Sequence, residues 1–316
     1  MSLLVRKPGL FTTLQDLGRT GQGRWGVSPC GAMDPLALVL ANRLVGNDAG
    51  AAALEVTALG PELVFEEDAT FALAGADLTA TLDGARVAVD QAQRARAGQA
   101  LRFGARVRGA RTYLAVTGGL GRGARAFLGS AATDVEARLG GLQGRPLRAG
   151  DALELEPQPA FQPRSAQGAW ERWYQPPGEV RFIPEPGTRL PAGSVERFTG
   201  SRFRVSARSN RQGYRLEGPA LPTDTSGLQI SEPVAPGTLQ LPPDGQPIVL
   251  MADRQTTGGY PRLGHVLRAD VPKLAQLWLG DEVTFRAVTL DEARQALREQ
   301  RTWLEQAVRT QDGTLR

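Results

Sequence analysis

Apolar and polar residues alternate in short runs along most of this chain. ELVFEE (62–67), TFALAGA (70–76), LTATLDG (78–84), ALRFG (100–104), RTYLAVTGG (111–119) and DALELEP (151–157) come first. EVRFIPEPG (179–187), RFRVSA (202–207), GTLQLP (237–242), PIVLMAD (247–253) and DEVTFRA (281–287) continue the pattern. Each run is bounded by Gly, Pro, Asp or Asn, and the runs recur about every 8 to 15 residues. That rhythm predicts a mainly β protein built as an antiparallel barrel or sandwich. Two segments have helical spacing instead. In DPLALVLANRLVG (34–46), Asp34 suits the N-cap, Pro35 the first helical position, and Leu36, Leu40 and Leu44 recur every four residues before Gly46. In TLDEARQALREQRTWLEQAV (289–308), Thr289 and Glu292 fit a capping box ahead of an apolar side of Ala293, Leu297, Leu304 and Val308, broadened by Ala296 and Trp303.

An internal echo divides the chain. TYLAV leads to Thr117-Gly118-Gly119 and later GDALEL; PIVLM leads to Thr257-Gly258-Gly259 and later GDEVTF. Two related β-barrels in tandem produce such a pattern. The expected organisation is an N-terminal half over 1–165, carrying a polar loop and the first helix, and a C-terminal half over 178–316 ending in the second helix. Between them 158–178, QPAFQPRSAQGAWERWYQPPG, reads as a linker.

Composition removes several functions. The 316 residues suffice for two cores. No apolar run approaches the ~20 residues of a membrane span, and the first residues lack the form of a signal peptide, so a cytoplasmic address is expected. A single cysteine, Cys30, excludes an internal disulfide and a multi-cysteine zinc site. The pI near 9.7 suggests nucleic acid. However, 37 basic residues face 33 acidic ones, and no basic block or basic-aromatic stripe occurs, which argues against it. Gly119-Leu120-Gly121-Arg122-Gly123-Ala124 matches a dinucleotide loop as text, without the alternating strands and helices that such a loop requires. No P-loop is present. Cys30 and the lone His265 have no spacing that pairs them, and no metal site is expected.

Three stretches carry more polarity than turns need: QDLGRTGQGRWGVSPCGAMD (15–34), SARSNRQGYRLEG (206–218) and ADRQTTGGYPRLG (252–264). Their arginines suit carboxylate or phosphate, their amides a carbonyl or N–H, and their carboxylates proton transfer. Each alone reads first as a solvated loop; together they resemble the walls of a site for a small polar or anionic molecule.

At these residues the chain resembles a known family. FTTLQDLGRTGQGRWGVSPCGAMDPLALVLANRLVGN (11–47), the 206–218 stretch, GLQISEPVAPGTLQLPPDGQPIVLMADRQTTGGYP (227–261) and WLGDEVTF (278–285) are similar to the allophanate hydrolase subunit 2 family. That family is biotin-dependent carboxyltransferase-like, and it includes the C-type subunit of 5-oxoprolinase and the antagonist of the Kip-type sporulation kinase inhibitor. The resemblance implies two tandem cyclophilin-like β-barrel halves. It implies as partners a subunit 1 type protein (the B-type subunit of 5-oxoprolinase or the Kip-type inhibitor) and the A-type subunit of 5-oxoprolinase, with a small amide as substrate and no role for nucleic acid or membrane. In 5-oxoprolinase the reaction opens 5-oxo-L-proline to L-glutamate with ATP, bound by a component of the complex that the sequence does not identify. In urea carboxylase the related domain moves a carboxyl group from biotin, and this chain has no lysine in an A-M-K-M context, so no covalent biotin of its own.

Carried over residue by residue, the family's motifs fall on Asp253, Gln255, Thr256, Thr257 and Tyr260, on Arg208, Asn210, Arg211 and Tyr214, and on Asp16, Arg19, Asp34, Asn42 and Asn47. Anion binding is expected of Arg208 and Arg211, amide recognition of Gln255 and Asn210, and general base work of Asp253 or Glu232. The chain departs from the family where Pro233 follows Ser231-Glu232, a position often held by glycine. Asp34 and Asn47 also have structural readings, as N-cap and as a residue just past a helix end. Three functions follow as expectations: a 5-oxoprolinase component inactive alone, a carboxyltransferase component, or a regulatory protein that binds the kinase-inhibitor partner.

Overall fold

The computed structural model describes residues 2–120, 126–156, 162, 164–166, 168–175, 178–187, 190–223 and 230–310. Gly121–Ala124 of the dinucleotide-like loop, parts of the expected linker and residues 227–229 of the family motif lie outside them. The chain forms two compact units. The first is Met1–Arg19, Cys30–Trp170 and Trp303–Arg316, and the second is Thr20–Pro29 and Glu171–Thr302. The units therefore do not follow the linear halves, since a short N-terminal segment joins the second and the C-terminal segment joins the first.

In the first unit, alternation places apolar side chains of two sheets on one shared core. One sheet runs in the order Ala152–Glu154, Ser2–Lys7, Glu62–Phe65, Ala100–Arg102, Thr81–Leu82, Ala85–Arg86. The other runs Phe11–Gln15, Ala53–Thr57, Arg108–Val116, Ala69–Asp77, Gln91–Ala95, Arg164–Ser165, Arg309–Thr310. Leu3, Val5, Leu63 and Phe65 of the first meet Leu14, Leu54, Val56, Phe71, Leu73, Leu114 and Val116 of the second. The opposite face of the second sheet carries Ala53, Ala72, Ala74, Tyr113 and Ala115, and the helix Pro35–Leu44 covers it with Ala37, Leu38, Leu40, Ala41 and Leu44. The small residues of the strands leave room for that helix. Asp34 caps it as predicted, accepting from the Ala37 N–H at 2.9 Å.

The second unit contains a closed barrel whose strands run Glu179–Pro184, Arg262–Val266, Thr238–Gln240, Ile248–Leu250, Gly213–Glu217, Arg202–Val205, Glu282–Ala287 and back to the first, the closing pair being parallel. Phe182, Phe198, Phe203 and Phe285 fill it, Phe198 stacking on Phe285 at 4.5 Å between centroids. The capping box closes as expected, with the Thr289 N–H donating to Glu292 at 2.7 Å at the start of the helix Leu290–Ala307. Ala293 and Ala296 of this helix pack with Leu267, Ala269 and Val288 in the second unit. Trp303, Leu304 and Ala307 pack in the first, in the cluster beside Ala37 and Leu44.

Several elements differ from the sequence reading. SLLVRK, FTTLQ and ALEVT are strands outside the alternating runs; all five residues of ALEVT are buried, so it shows no alternation. The expected linker holds a strand, Arg164–Ser165, and a helix, Ala169–Trp173, whose Trp170 and Trp173 are buried. Two further short helices, Ser194–Thr199 and Val271–Ala275, are below the length at which periodicity shows. The two Thr-Gly-Gly copies also differ. Gly118 and Gly119 have left-handed φ of 89° and 106°, whereas Gly258 and Gly259 do not lie in that region. The strand before Gly119 is antiparallel to both its neighbours, which removes the parallel context of a dinucleotide fold. Among the described residues no helix is long and apolar enough to cross a membrane.

One ion pair gives the first unit a defined acid response. Asp151 accepts from both Arg145 amino groups at 2.7 and 2.9 Å and from the Arg148 N–H at 2.7 Å. The Arg145 hydrogen bonds, more than any other influence, hold its carboxyl below the usual carboxylate range. A depressed folded value means that its stabilisation is complete above about pH 4 and is lost as pH falls through that lower value. Asp151→Asn is therefore expected to cost about 1–2 kcal/mol in urea unfolding at pH 7, with the difference closing as the two proteins are titrated towards pH 2.

Candidate functional site

Each unit assembles its own set of the family-motif residues. In the second, two loops leave neighbouring barrel strands, since Gly213–Glu217 pairs with Ile248–Leu250 in antiparallel register. The Met251 N–H donates to the Gln212 carbonyl and the Asp253 N–H to the Arg211 carbonyl, both at 2.9 Å, so the ladder's partners continue into the loops. The side chains then lock the junction. Arg211 Nε and Nη2 donate to Asp253 Oδ2 and Oδ1 at 2.8 and 2.9 Å, a planar fork with little access to water. Asn210, an exposed residue, accepts at Oδ1 from the Gln212 and Gly213 N–H groups at 2.9 and 3.2 Å, which shapes the turn beside Arg211. Asn210 thus precedes Arg211 on one loop, and Gln255 follows Asp253 by two residues on the other.

Other members of this set separate into two kinds. Arg208, Gln255, Thr257 and Tyr260 are exposed, and the guanidinium of Arg208 makes no ion pair among the described residues. Tyr214 is buried, its hydroxyl donating to the Leu277 carbonyl at 3.4 Å, and the Thr256 carbonyl accepts from the Val234 N–H at 3.1 Å. Glu232 is exposed and pairs with Arg262 at 2.8 Å; it lies on the strand Glu232–Pro233, which bridges to Thr257–Gly258. His265 contacts Thr238 at 3.2 Å and Glu185 at 3.0 Å within this unit, while Cys30 is buried in the first.

In the first unit the motif residues grip backbone. Asp16 accepts from the N–H of Gly18, the hydroxyl of Ser130 and the N–H of Ala131, all at 2.7 Å. Arg19 donates to the carbonyls of Ala132 and Phe127, and Gln15 donates to that of Thr133 at 3.1 Å. The end of the strand Phe11–Gln15 and the residues just after it thereby grip 127–133. Arg19 Nη1 and Gln15 Oε1 are buried without a partner among the described residues. Asn42 donates to the Ala51 carbonyl at 2.7 Å, and Asn47 binds the Val116 carbonyl and the Gly118 N–H at 2.8 and 2.9 Å, which fixes the turn after the central strand.

Sequence reading missed a buried polar row beneath the first helix. Glu55, on a central strand, is fully buried and accepts from the Tyr113 hydroxyl at 2.6 Å and the Met33 N–H at 2.9 Å, with Arg111 Nε 3.7 Å away. The Tyr113 hydroxyl in turn accepts from the Asp34 N–H at 2.8 Å. Burial first, and then the charges of Glu55 and Asp34, push the tyrosine well above its ordinary value, so it stays a neutral donor. The segment that delivers Met33 and Asp34 turns through Gly31 at φ 88°, where a Cβ would strike the backbone of Leu17 and Gly18. A glutamate within an all-buried strand, ALEVT, was the available signal. Among the described residues no group of three or more His, Cys, Asp or Glu is placed to hold a metal ion.

The chain is similar to known proteins over most of its length. Residues 25–287 match the family described as the carboxyltransferase domain, subdomain A and B. The chain is 40% identical to the C-type subunit of 5-oxoprolinase from Escherichia coli (strain K12), over 96% of this chain and 97% of that one. The solved structure of TTHA0988 is similar with 38% identity and a TM-score of 0.81, over 90% of this chain and 56% of its own. The urea amidolyase of K. lactis gives a TM-score of 0.89 at 29% identity, over 96% of this chain and 20% of that longer protein. The family match spans most of the sequence and the E. coli relative is aligned nearly end to end, so this chain belongs to the family of the carboxyltransferase domain, subdomain A and B.

Proposed function

We propose that this chain is the C-type subunit of an ATP-dependent 5-oxoprolinase, a cytoplasmic hetero-oligomer that opens 5-oxo-L-proline to L-glutamate. A subunit 1 type protein, which is the B-type subunit, and the A-type subunit complete it. The observation that carries this reading is the 40% identity to a 5-oxoprolinase C-type subunit along nearly the whole of both chains. The second unit offers chemistry of the matching kind. A lactam with a carboxylate needs a cation for the carboxylate, donors for the ring carbonyl and an acceptor for the ring N–H. Arg208, exposed, takes the carboxylate; Asn210 and Gln255, on the two loops that the Arg211–Asp253 pair joins, take the amide. Thr256, Thr257 and Tyr260 border Gln255 on the same loop.

Asp253 holds Arg211 through one bond to each oxygen. Each oxygen keeps a further lone pair, with which Asp253 accepts a proton from attacking water. Glu232, tied to Arg262, is the other carboxylate of the set. ATP supplies activation of the amide oxygen within the complex; it is assigned to the complex rather than to this chain, whose sequence lacks a lysine-bearing phosphate loop.

A second reading, carboxyl transfer, is favoured by the likeness to a urea amidolyase. It requires biotin from another protein. Lys7 pairs with Glu62 at 3.1 Å, and Lys273 donates to the carbonyls of Gln175 and Glu179 at 3.3 and 3.2 Å. These are the chain's two lysines, and neither sits in a biotin-attachment context.

Co-purification with the two partner proteins, followed by glutamate release from 5-oxo-L-proline, tests the first reading. Turnover is expected only with ATP and only from the assembled complex. Asp253→Ala is expected to lower kcat/KM about 100-fold or more, and Arg208→Leu to raise KM about tenfold with little change in kcat. An assembled complex without turnover would sink the reading. Transfer of carboxyl from a biotinylated carrier would then favour the second, and partner binding alone the regulatory one.

A further inference from the structure

Gln240 belongs to none of the motifs above, yet its surroundings are unusual for a barrel glutamine. It ends the strand Thr238–Gln240 and is 1% exposed. Its side chain has no hydrogen bond among the described residues, and Nε2 is completely enclosed. Buried amides are nearly always paired, because an enclosed donor without an acceptor has lost water for nothing. The strand is bulged at this point. Pairing passes from Leu239 with Gly264 to Gln240 with Arg262, skipping Leu263, and a bulge re-aims the side chain beside it.

Gln240 is aimed at Gly258. A Cβ there would collide with Gln240 Nε2 and would lie 3.1 Å from Gln255 Nε2. Gly258 does not have a left-handed φ, so its backbone would accept other residues. Glycine at 258 therefore makes room for two side-chain amides, one buried and one at the surface.

We propose that Gln240 is a specificity-determining residue that pairs with the amide edge of a small cyclic amide. A lactam ring fixes its amide cis, so its C=O and N–H point the same way. A primary amide is the complement of that edge, with NH2 donating to the lactam oxygen and Oε1 accepting from the lactam N–H. Gln255, exposed beside Gln240, supplies a second donor to the carbonyl oxygen and moves aside to admit the ring. The inference rests on the amide-substrate reading above and adds that the substrate is recognised as a cis amide bearing a hydrogen.

The test compares 2-pyrrolidinone with N-methyl-2-pyrrolidinone, which keeps the carbonyl and lacks the N–H. In the assembled complex, 2-pyrrolidinone is expected to compete with 5-oxo-L-proline at least tenfold better than the N-methyl compound. Gln240→Met is expected to abolish that preference and raise KM about tenfold while leaving the thermal midpoint unchanged or higher, because an unsatisfied group has been removed. Side-chain amide resonances of Gln240 in the full chain, titrated with both compounds, give a readout independent of turnover. A shift with 2-pyrrolidinone alone supports the inference even if the complex does not hydrolyse 5-oxo-L-proline. An unshifted amide, or a Gln240→Met complex with KM and preference unchanged, overturns it and leaves the 5-oxoprolinase reading standing if turnover is normal; Gln240 would then only pack against Gln255.

Discussion

One largely buried ion pair, with Asp253 keeping some contact with water, organises the polar end of the barrel. Arg211 and Asp253 sit on different loops, and their fork of 2.8 and 2.9 Å bonds is the side-chain link that holds those loops in register. A guanidinium and a carboxylate with this little access to water are tolerated when each satisfies the other, and removing one partner leaves an uncompensated charge that costs up to about 3–5 kcal/mol. The pair is thus a fixed point. Asn210 next to Arg211, and Gln255 two residues after Asp253, inherit their positions from it, and both project groups that the fold itself does not consume.

The first unit treats its motif residues differently. Asp16, Arg19, Asp34, Asn42 and Asn47 all bind backbone N–H or carbonyl groups, and together they tie the start of the glycine-rich loop to residues 127–132, cap the first helix and hold the segment after it and the turn at Gly118. Irregular backbone buried in this way must have its hydrogen bonds supplied by side chains. Part of the family's signature is therefore a requirement of a fold with long internal loops. The Glu55–Tyr113–Asp34 chain extends the same logic, because a buried carboxylate anchors the segment that starts the helix.

Much of the architecture was readable from alternation and capping. The strands with one polar face, the Asp34 cap and the Thr289–Glu292 box all follow local rules. Strands buried on both faces, such as ALEVT, carry no period to read, and five-residue helices are too short to show one. The placement of Trp303 with the first unit is a long-range choice that no local pattern encodes. In the candidate site, polarity in excess of turn chemistry located ADRQTTGGYP, but it treated both Thr-Gly-Gly copies alike. Backbone angles separate them: the first copy's glycines serve conformation, and Gly258 serves space beside Gln240. Gln240 itself was invisible, since a glutamine in GTLQLP reads as an outward residue of an alternating strand.

The Arg211–Asp253 pair holds these two barrel loops in place. A double-mutant cycle with Arg211→Met, Asp253→Leu and the double variant, measured by equilibrium unfolding of the chain, isolates their interaction from everything else each side chain does. Each single variant is expected to lose about 3 kcal/mol or more, and the double variant to lose less than the sum of the two by about 2 kcal/mol or more. Additive losses, with a coupling near zero, would contradict it.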